Sequence, residues 1–269
     1  MTATSTEFDD LLRYIEEELS FATSHYNDSY LDRRVNARMR RTGAESYTAY
    51  LRTLRDDPEE GDRLLRALSI NVTSFFRNPP MWEELREVLH ALSSDRQRVR
   101  VWSAACSDGR EPYSLAMLAL DDPSVDDRRI SITATDISEP SLTTAREAVY
   151  ESTRTTDIEE ELAPLSDYEA YIQREDEQFT LQPTVTEMVD FQRHDLIRDK
   201  PIGSFDLVLC RNLFIYIDPA HKDRILSTLD ESIGRDGYLV IGMAETLPKA
   251  YRSVFETIGR RSRIHRRIA

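Results

Sequence analysis

Lysine is nearly absent from this chain of 269 residues, which has only Lys200, Lys222 and Lys249 among its 35 basic residues. Acidic residues number 49, so the formal net charge is −14 and no basic stripe offsets it. This balance argues against a dedicated nucleic-acid-binding protein. An acidic surface poor in lysine suggests a high-salt cytoplasm, where self-repulsion is screened. A GC-rich genome is the alternative explanation; it accounts for the preference for arginine over lysine but not for the excess of acidic residues.

Long apolar runs and cysteines are also scarce. No run approaches the roughly 20 apolar residues that span a bilayer, and the acidic N-terminus lacks the apolar core of a signal peptide. The two cysteines, Cys106 and Cys210, lie in apolar segments without metal-ligand spacing. We therefore expect a soluble, cytoplasmic protein with reduced thiols, no metal and no segment inserted in a membrane.

The first part of the chain has the apolar spacing of helices. Apolar residues recur three and four positions apart at Phe8, Leu11, Leu12, Ile15 and Leu19. Gly43 is placed to end a second helix, and β-branched residues are few. The pattern predicts an all-α N-terminal domain over residues 1–72, followed by a linker helix over 73–97.

Beyond residue 98, strand-like and helix-like segments alternate. The strand-like segments are RVRVWSAAC, RISITATDI, FDLVLCRN and GYLVIGM. Such alternation predicts an α/β domain over 98–269, in which a parallel sheet is covered by helices on both faces. Short alternating runs at about 165–192 predict a small β subdomain inserted into it.

Polar residues follow three of these strands, at the sheet edge where ligands of parallel sheets bind. The loop SAACSDGREPYS has one glycine, Gly109, which permits close backbone approach or simply a tight turn. Asp136 could accept the hydroxyls of a ribose, or it could cap the next helix, as could Ser138. Arg211 and Asn212 directly follow a buried strand, where polar side chains are costly without partners. They could bind a ligand, or the arginine could pair with an acidic residue.

Three segments together resemble the CheR family of chemoreceptor glutamate methyltransferases. These segments read NVTSFFR, WSAACSDGREPYS and CRNLFIY, and the resemblance covers nearly the whole chain in order and spacing. It implies a class I, Rossmann-like domain dependent on S-adenosylmethionine (SAM), with a small β subdomain and an all-α domain in front. It also implies methyl transfer from SAM to glutamate side chains of chemotaxis receptors, which leaves S-adenosylhomocysteine.

The resemblance further implies which residues form the site. It places SAM contacts at Asn71, Thr73, Arg77, Ala105, Glu111, Asp136, Asp195, Leu196, Arg211 and Asn212. Glu111 is expected near the methionine end of SAM, Asp136 on the ribose, and Asp195 with Leu196 beside the adenine. Arg77 is expected to orient substrate or cofactor, and Tyr216 to donate a hydrogen bond to the attacking carboxylate. A salt bridge between domains and an ordinary half-buried tyrosine are the alternative interpretations of these two residues.

The second helix, YLDRRVNARMRR, concentrates arginine on an otherwise acidic protein. Family members carry basic residues at the positions of Arg34, Arg38 and Arg40, which are therefore expected to dock the acidic helical region of the receptors. A solvated helix face is the alternative interpretation of these arginines.

The protein is expected to act as a monomer. The predicted β subdomain lacks the glycine expected at a receptor-tail site, so binding of a receptor tail is not expected.

The chain also departs from the family pattern. Arg110 stands where the family usually has glutamate and Asp108 where it often has threonine, so the two are expected to pair. Asp195 replaces a usual asparagine, and Met243 replaces the histidine of a Gly-His-Ser-Glu motif.

Two alternative functions are a regulatory module that binds SAM without receptor methylation and a methyltransferase with another substrate. The missing three-glycine fingerprint disfavours a nicotinamide oxidoreductase.

Overall fold

A computed structural model describes residues 3–19, 21–68 and 73–269 of the chain. These residues form two compact units. The first unit contains the described residues up to 68 together with Tyr216–Asp223, and the second contains residues 73–215 and Arg224–Ala269. None of the described helices is both long and apolar enough to cross a bilayer.

The described part of the chain contains ten α-helices and ten strands. The helices are α1 (Ala3–Glu18), α2 (Asp28–Thr42), α3 (Tyr47–Asp56), α4 (Pro58–Leu68), α5 (Pro79–Asp95), α6 (Arg110–Asp121), α7 (Glu139–Glu147), α8 (Ile158–Glu161), α9 (Pro183–Thr186) and α10 (Pro219–Ser232). The strands are β1 (Val99–Ala104), β2 (Ile130–Asp136), β3 (Val149–Glu151), β4 (Ile172–Glu175), β5 (Gln178–Leu181), β6 (Val189–Arg193), β7 (Phe205–Cys210), β8 (Ile233–Ile241), β9 (Phe255–Gly259) and β10 (Ile264–Arg267).

The first unit is built on α1 to α4, and its helix ends are capped by side chains and glycine. The Asn27 side chain accepts a hydrogen bond from the amide of Tyr30 at the start of α2. Gly43 ends α2 in the left-handed conformation, with φ of 75°, as the sequence predicts. Ser46 caps α3 in the same way as Asn27 caps α2. The apolar faces of these helices meet in a core that includes Leu11, Ile15, Leu31, Val35, Tyr50, Leu54 and Leu64.

The second unit contains a seven-stranded sheet in the order β6-β2-β1-β7-β8-β10-β9. The first five strands of that order are parallel, and β10 runs antiparallel to both of its neighbours. The central strands β1 and β7 are buried along almost their whole length, as is typical of parallel strands covered by helices on both faces. The predicted α/β class is therefore confirmed, as is the all-α N-terminal domain.

A second, antiparallel sheet has the order β3-β5-β4. Strands β4 and β5 form a hairpin inside the range 165–192 that the sequence predicts for the β subdomain. Strand β3 precedes that range, and β6 overlaps its end but pairs with β2 of the main sheet. The short alternating runs indicate strands but do not indicate which sheet each joins.

Helix α5 begins six residues later than the start of the predicted linker helix. Phe76 and Asn78 both adopt left-handed backbone conformations, with φ of 46° and 64°. Such a conformation costs a bulky residue about 1–3 kcal/mol. Pro79 at the first helical turn then starts α5. The segment before α5 is consequently an ordered turn, held by the hydrogen bonds described below.

Candidate functional site

The parallel strands of the second unit bring their carboxyl ends to one edge of the sheet. Strand β1 lies between β2 and β7, where the chain order reverses, and this is where open α/β sheets bind ligands. The loop after β1 is unusually compact, because Ala105, Ser107 and Gly109 all have positive φ. A Cβ on Gly109 would lie 2.8 Å from the Cβ of Ala145, so only glycine fits there.

A buried ion pair joins α6 to the end of β7. Glu111 accepts hydrogen bonds from Ser103 Oγ at 2.9 Å and from Arg211 Nη1 at 3.2 Å. The side chain of Arg211 is 2% exposed, and burial lowers its pKa. The acid partner considered for Arg211 is therefore Glu111, so the structure brings two of the predicted cofactor residues together.

The same arginine also holds the turn that precedes α5. Arg211 Nη2 donates to the carbonyl of Arg77 at 2.7 Å and to Asn78 Oδ1 at 3.0 Å. The guanidinium carbon lies 5.6 Å from the centroid of the Trp82 ring, whose Nε1 donates to the same carbonyl of Arg77. Glu111 and the backbone of Arg77 are thus linked through one guanidinium group.

Two further hydrogen bonds fix this turn from its other side. The amide of Phe76 donates to Ser114 Oγ at 2.9 Å, and that of Phe75 donates to Glu161 Oε2 at 2.8 Å. Arg77 lines a groove of about 610 Å³, to which residues 74–79, the start of α5 and the segment around Glu161 also contribute. Thr73 is half-buried at the start of the turn, and Asn71 lies outside the described residues.

Asp136 closes the loops that follow β1 and β2. Its Oδ2 accepts from the amide of Ser107 at 2.8 Å and its Oδ1 from the amide of Ser138 at 2.9 Å. Burial raises the pKa of the Asp136 carboxyl. The cap of α7 is Ser138, whose side chain accepts from the amide of Ser141, so Asp136 does not serve as that cap.

The carboxylate of Asp195 lies in a tight turn after β6. Its Oδ1 accepts from the amides of Ile197 at 2.8 Å and Arg198 at 3.2 Å. Leu196 is buried beside it, and its carbonyl accepts from Thr228 Oγ1. The amide of the preceding residue, His194, donates to the carbonyl of Asp136, which places this turn next to the end of β2.

Asp108 and Arg110 pair with each other, as the sequence predicts. Arg110 Nη2 lies 2.9 Å from Asp108 Oδ2, and Arg110 Nη1 lies 3.8 Å from Glu161 Oε2. The guanidinium also stacks over the ring of Tyr150. The two departures from the family pattern are therefore mutually compensating.

Glu245 is a buried residue of this region that the sequence reasoning missed. It follows β8 and accepts a hydrogen bond from the amide of Asn212, which has a φ of 61°. Burial raises the pKa of the Glu245 carboxyl. The available signal is the acid of GMAE, which stands where the family motif Gly-His-Ser-Glu also ends in glutamate.

Tyr216 belongs to the first unit. Its carbonyl accepts from Asn27 Nδ2 at 2.8 Å, and its ring centroid lies 4.9 Å from that of Tyr30. Arg34 is half-buried, with its guanidinium 5.3 Å from the Tyr30 ring. Tyr216 and the predicted docking residue Arg34 therefore both contact Tyr30.

The docking role predicted for Arg38 requires correction. Arg38 is 9% exposed and forms a two-bond pair with Glu60, at 2.9 Å from Nε and 2.5 Å from Nη2. Tyr50 donates to the same carboxylate at 2.7 Å. This guanidinium stabilises the first unit from within, whereas Arg40 is exposed on the same helix.

The loops after β1 and β7 contain two buried polar atoms that a polar ligand could satisfy. Within the part of the chain that the structure describes, Arg211 Nε and Ser107 Oγ are buried polar atoms without a hydrogen-bond partner. Such atoms are costly unless a bound group satisfies them. Both lie in the loops after β1 and β7, beside Asp136 and Glu111. No cluster of histidine, cysteine and acidic side chains that could hold a metal ion occurs among the described residues.

Comparison with protein families gives two matches that together span most of the chain. The model of the CheR methyltransferase SAM-binding domain matches residues 71–264, and that of the CheR methyltransferase all-alpha domain matches residues 6–69.

Curated relatives agree with these matches. A chemotaxis protein methyltransferase of Listeria monocytogenes is 33% identical over 87% of this chain and 88% of its own length. Another, of Borreliella burgdorferi, is 27% identical over 91% of this chain and 89% of its length. An uncharacterized 104.1 kDa protein of Rhodobacter capsulatus is 33% identical over 89% of this chain, which spans 25% of that protein.

Proposed function

The chain belongs to the CheR methyltransferase family, and from this premise we propose that it methylates glutamate side chains of chemotaxis receptors. The observation that carries the proposal is the buried Glu111–Arg211 pair at the sheet edge, tied to the backbone of Arg77. A buried ion pair is costly unless further hydrogen bonds accompany it, and the Arg211 guanidinium, apart from its Nε–H, donates to Glu111, Arg77 and Asn78. Here it fixes two strand ends and the turn before α5, which together carry most of the proposed cofactor contacts.

The cofactor of the family's domain is SAM, and we propose that the predicted residues bind it. They are Asn71, Thr73, Arg77, Ala105, Glu111, Asp136, Asp195, Leu196, Arg211 and Asn212. When bound, SAM supplies an electrophilic methyl group that ends on the substrate and leaves S-adenosylhomocysteine. The acceptors at Glu111 and Asp136 suit the ammonium and ribose hydroxyls of SAM, while the free Nε–H of Arg211 suits a carboxylate.

Methylation of a glutamate side chain requires that the carboxylate be positioned against the methyl group, and it requires no proton transfer. Its carboxyl group is ionised at neutral pH, so no general base is needed. Arg77 can hold a carboxylate through two parallel hydrogen bonds, and it lines an open groove. Tyr216 can donate its hydroxyl to the attacking carboxylate and so fix its direction. We propose these two residues as the catalytic residues.

The chemistry of the product tests this proposal. Purified protein, SAM and receptor-enriched membranes from the same organism are incubated in high salt, and receptor peptides are analysed by mass spectrometry. Methyl esters on glutamate side chains are expected. Methyl groups on lysine or histidine nitrogen would contradict the proposal. SAM binding without any methylated product would favour the regulatory module instead.

We further propose that exposed arginines of α2 dock the acidic receptor helix, with Arg40 as the test position. Arg40→Glu is expected to raise the KM for receptor by about tenfold, because opposite charges at an interface favour encounter and register. The affinity for SAM should not change. Arg52→Glu, the same charge change at an exposed residue of α3, is the matched control and should leave the KM within about twofold. Equal effects of the two variants would contradict a specific docking face.

A further inference from the structure

The carboxylate of Glu245 is buried without a cationic side chain bonded to it. The residue is 4% exposed, and no ion pair to it occurs among the described residues. Its acceptors are satisfied by backbone amides instead. Such a carboxylate replaces its hydration shell with fixed N–H groups, so its position depends on the loops that carry them.

The amides that bind Glu245 come from two different strand ends. Oε2 accepts from Asn212 at 3.1 Å and from Gly242 at 2.6 Å, and Oε1 accepts from Phe214 at 2.8 Å. Asn212 and Phe214 follow β7, whereas Gly242 follows β8. One carboxylate therefore joins the loop after β7 to the loop after β8.

The loops after β7 and β8 pack closely around the Glu245 carboxylate. A Cβ on Gly242 would lie 2.7 Å from the amide nitrogen of Asn212 and 2.7 Å from Glu245 Oε2. Asn212 itself is in the left-handed region, with φ of 61°. An asparagine keeps that backbone conformation more readily when its amide is bonded, since the bond offsets part of the strain.

We propose that Glu245 is a positioning residue that sets the affinity for SAM by holding Arg211 and Asn212 in their binding geometry. The inference rests on the proposed function, which assigns these two residues to the cofactor site. Glu245 acts through the backbone of the β7 loop and does not itself touch the cofactor. Its loss frees the amide of Asn212 and lets the loop relax away from the geometry in which Arg211 meets Glu111.

Asp206 provides a matched control at the start of β7, the end of that strand opposite the loop that contains Asn212. It also accepts a backbone amide, from Arg100 at 2.7 Å, and it pairs with Arg96. Asp206→Asn removes the charge and sets an amide N–H₂ against either the Arg100 amide or the Arg96 guanidinium, so it also disturbs a carboxylate bonded to the main sheet. Because β7 runs away from Asp206 toward Arg211, Asp206→Asn disturbs the sheet without disturbing the loop after β7.

The test is calorimetric titration of SAM into the wild type, Glu245→Gln and Asp206→Asn. Glu245→Gln places an amide N–H₂ against backbone donors, so the Kd for SAM should rise at least about tenfold. Asp206→Asn should stay within about twofold of the wild type. Calorimetry separates two effects, because partial unfolding lowers the fraction of protein that binds and a displaced loop raises the Kd.

A second pair of variants keeps the test decisive if Glu245→Gln does not fold. Glu245→Asp keeps the charge, but its shorter side chain cannot reach the same amides. Gly242→Ala keeps the carboxylate, but its Cβ would clash with the backbone of Asn212. Both should weaken SAM binding. A wild-type Kd in the folded Glu245 and Gly242 variants would overturn this inference alone. Failure of the wild type to bind SAM would instead overturn the cofactor site on which the inference rests.

Discussion

Glu111→Ala is expected to lower the free energy of unfolding by about 3–5 kcal/mol and to abolish SAM binding. The substitution leaves the guanidinium of Arg211, which is 2% exposed, without its carboxylate. It also removes the acceptor of Ser103 Oγ. A buried charge without a partner is far more costly than a lost surface pair, so the second unit should unfold at a much lower urea concentration.

Glu139 is the control for this prediction. Its carboxylate, at the start of α7, pairs with Arg146 in the last turn of the same helix, and both side chains are about half exposed. Glu139→Ala should change the free energy of unfolding by no more than about 1 kcal/mol. Urea denaturation of both variants, followed by fluorescence, measures the difference. Similar small losses would show that the Glu111–Arg211 pair does not stabilise the site.

Arg38→Ala is expected to destabilise the first unit by about 3–5 kcal/mol. Glu60 would lose both bonds from the guanidinium and remain buried with one hydrogen bond, from Tyr50, and with Arg63 Nη1 at 3.8 Å. Arg38→Lys should recover only part of the loss, because an ammonium cannot make the two parallel bonds.

Arg40→Ala, two positions along the same helix, is the matched control for Arg38→Ala. Arg40 is exposed, so its removal should change the stability by less than about 0.5 kcal/mol. Chemical denaturation followed by circular dichroism reports both variants. An Arg38→Ala protein as stable as Arg40→Ala would mean that the pair with Glu60 contributes nothing in solution.

The position of Arg38 shows how the sequence could have been interpreted more fully. Arg38 lies seven residues after Leu31 and three after Val35, so it falls on the apolar face of α2. An arginine at such a position needs an acid partner. The family resemblance favours a docking role for Arg38, whereas the apolar periodicity of α2 indicates a buried position.

Other features follow directly from the sequence. Alternating strands and helices predict the parallel sheet, and the polar residues after its strands predict the edge where Glu111 and Arg211 meet. The pairing of Arg211 with an acid could be anticipated from the cost of burying it, but not the identity of an acid 100 positions away.

The arrangement of the loops could not be predicted in the same way. The left-handed turn at Phe76 and Asn78 depends on acceptors from Ser114 and Glu161 and on the Arg211 guanidinium, which donates to Asn78 Oδ1. Only the folded chain brings these groups together. The sequence feature that marks the start of α5 is Pro79, which suits the first helical turn. Glu245 gave little signal because its partners are backbone amides, which every residue except proline carries.

Transfer of radiolabelled methyl from SAM to receptor-enriched membranes tests the central claim most directly. The wild type and Arg77→Ala run side by side in high salt, and base treatment releases volatile methanol from carboxyl esters. Base-labile label on receptor-sized bands is expected for the wild type, with a reduction of about 100-fold or more in the variant. Label that resists base, or an equal yield from Arg77→Ala, would contradict a carboxyl methyltransferase whose site includes Arg77.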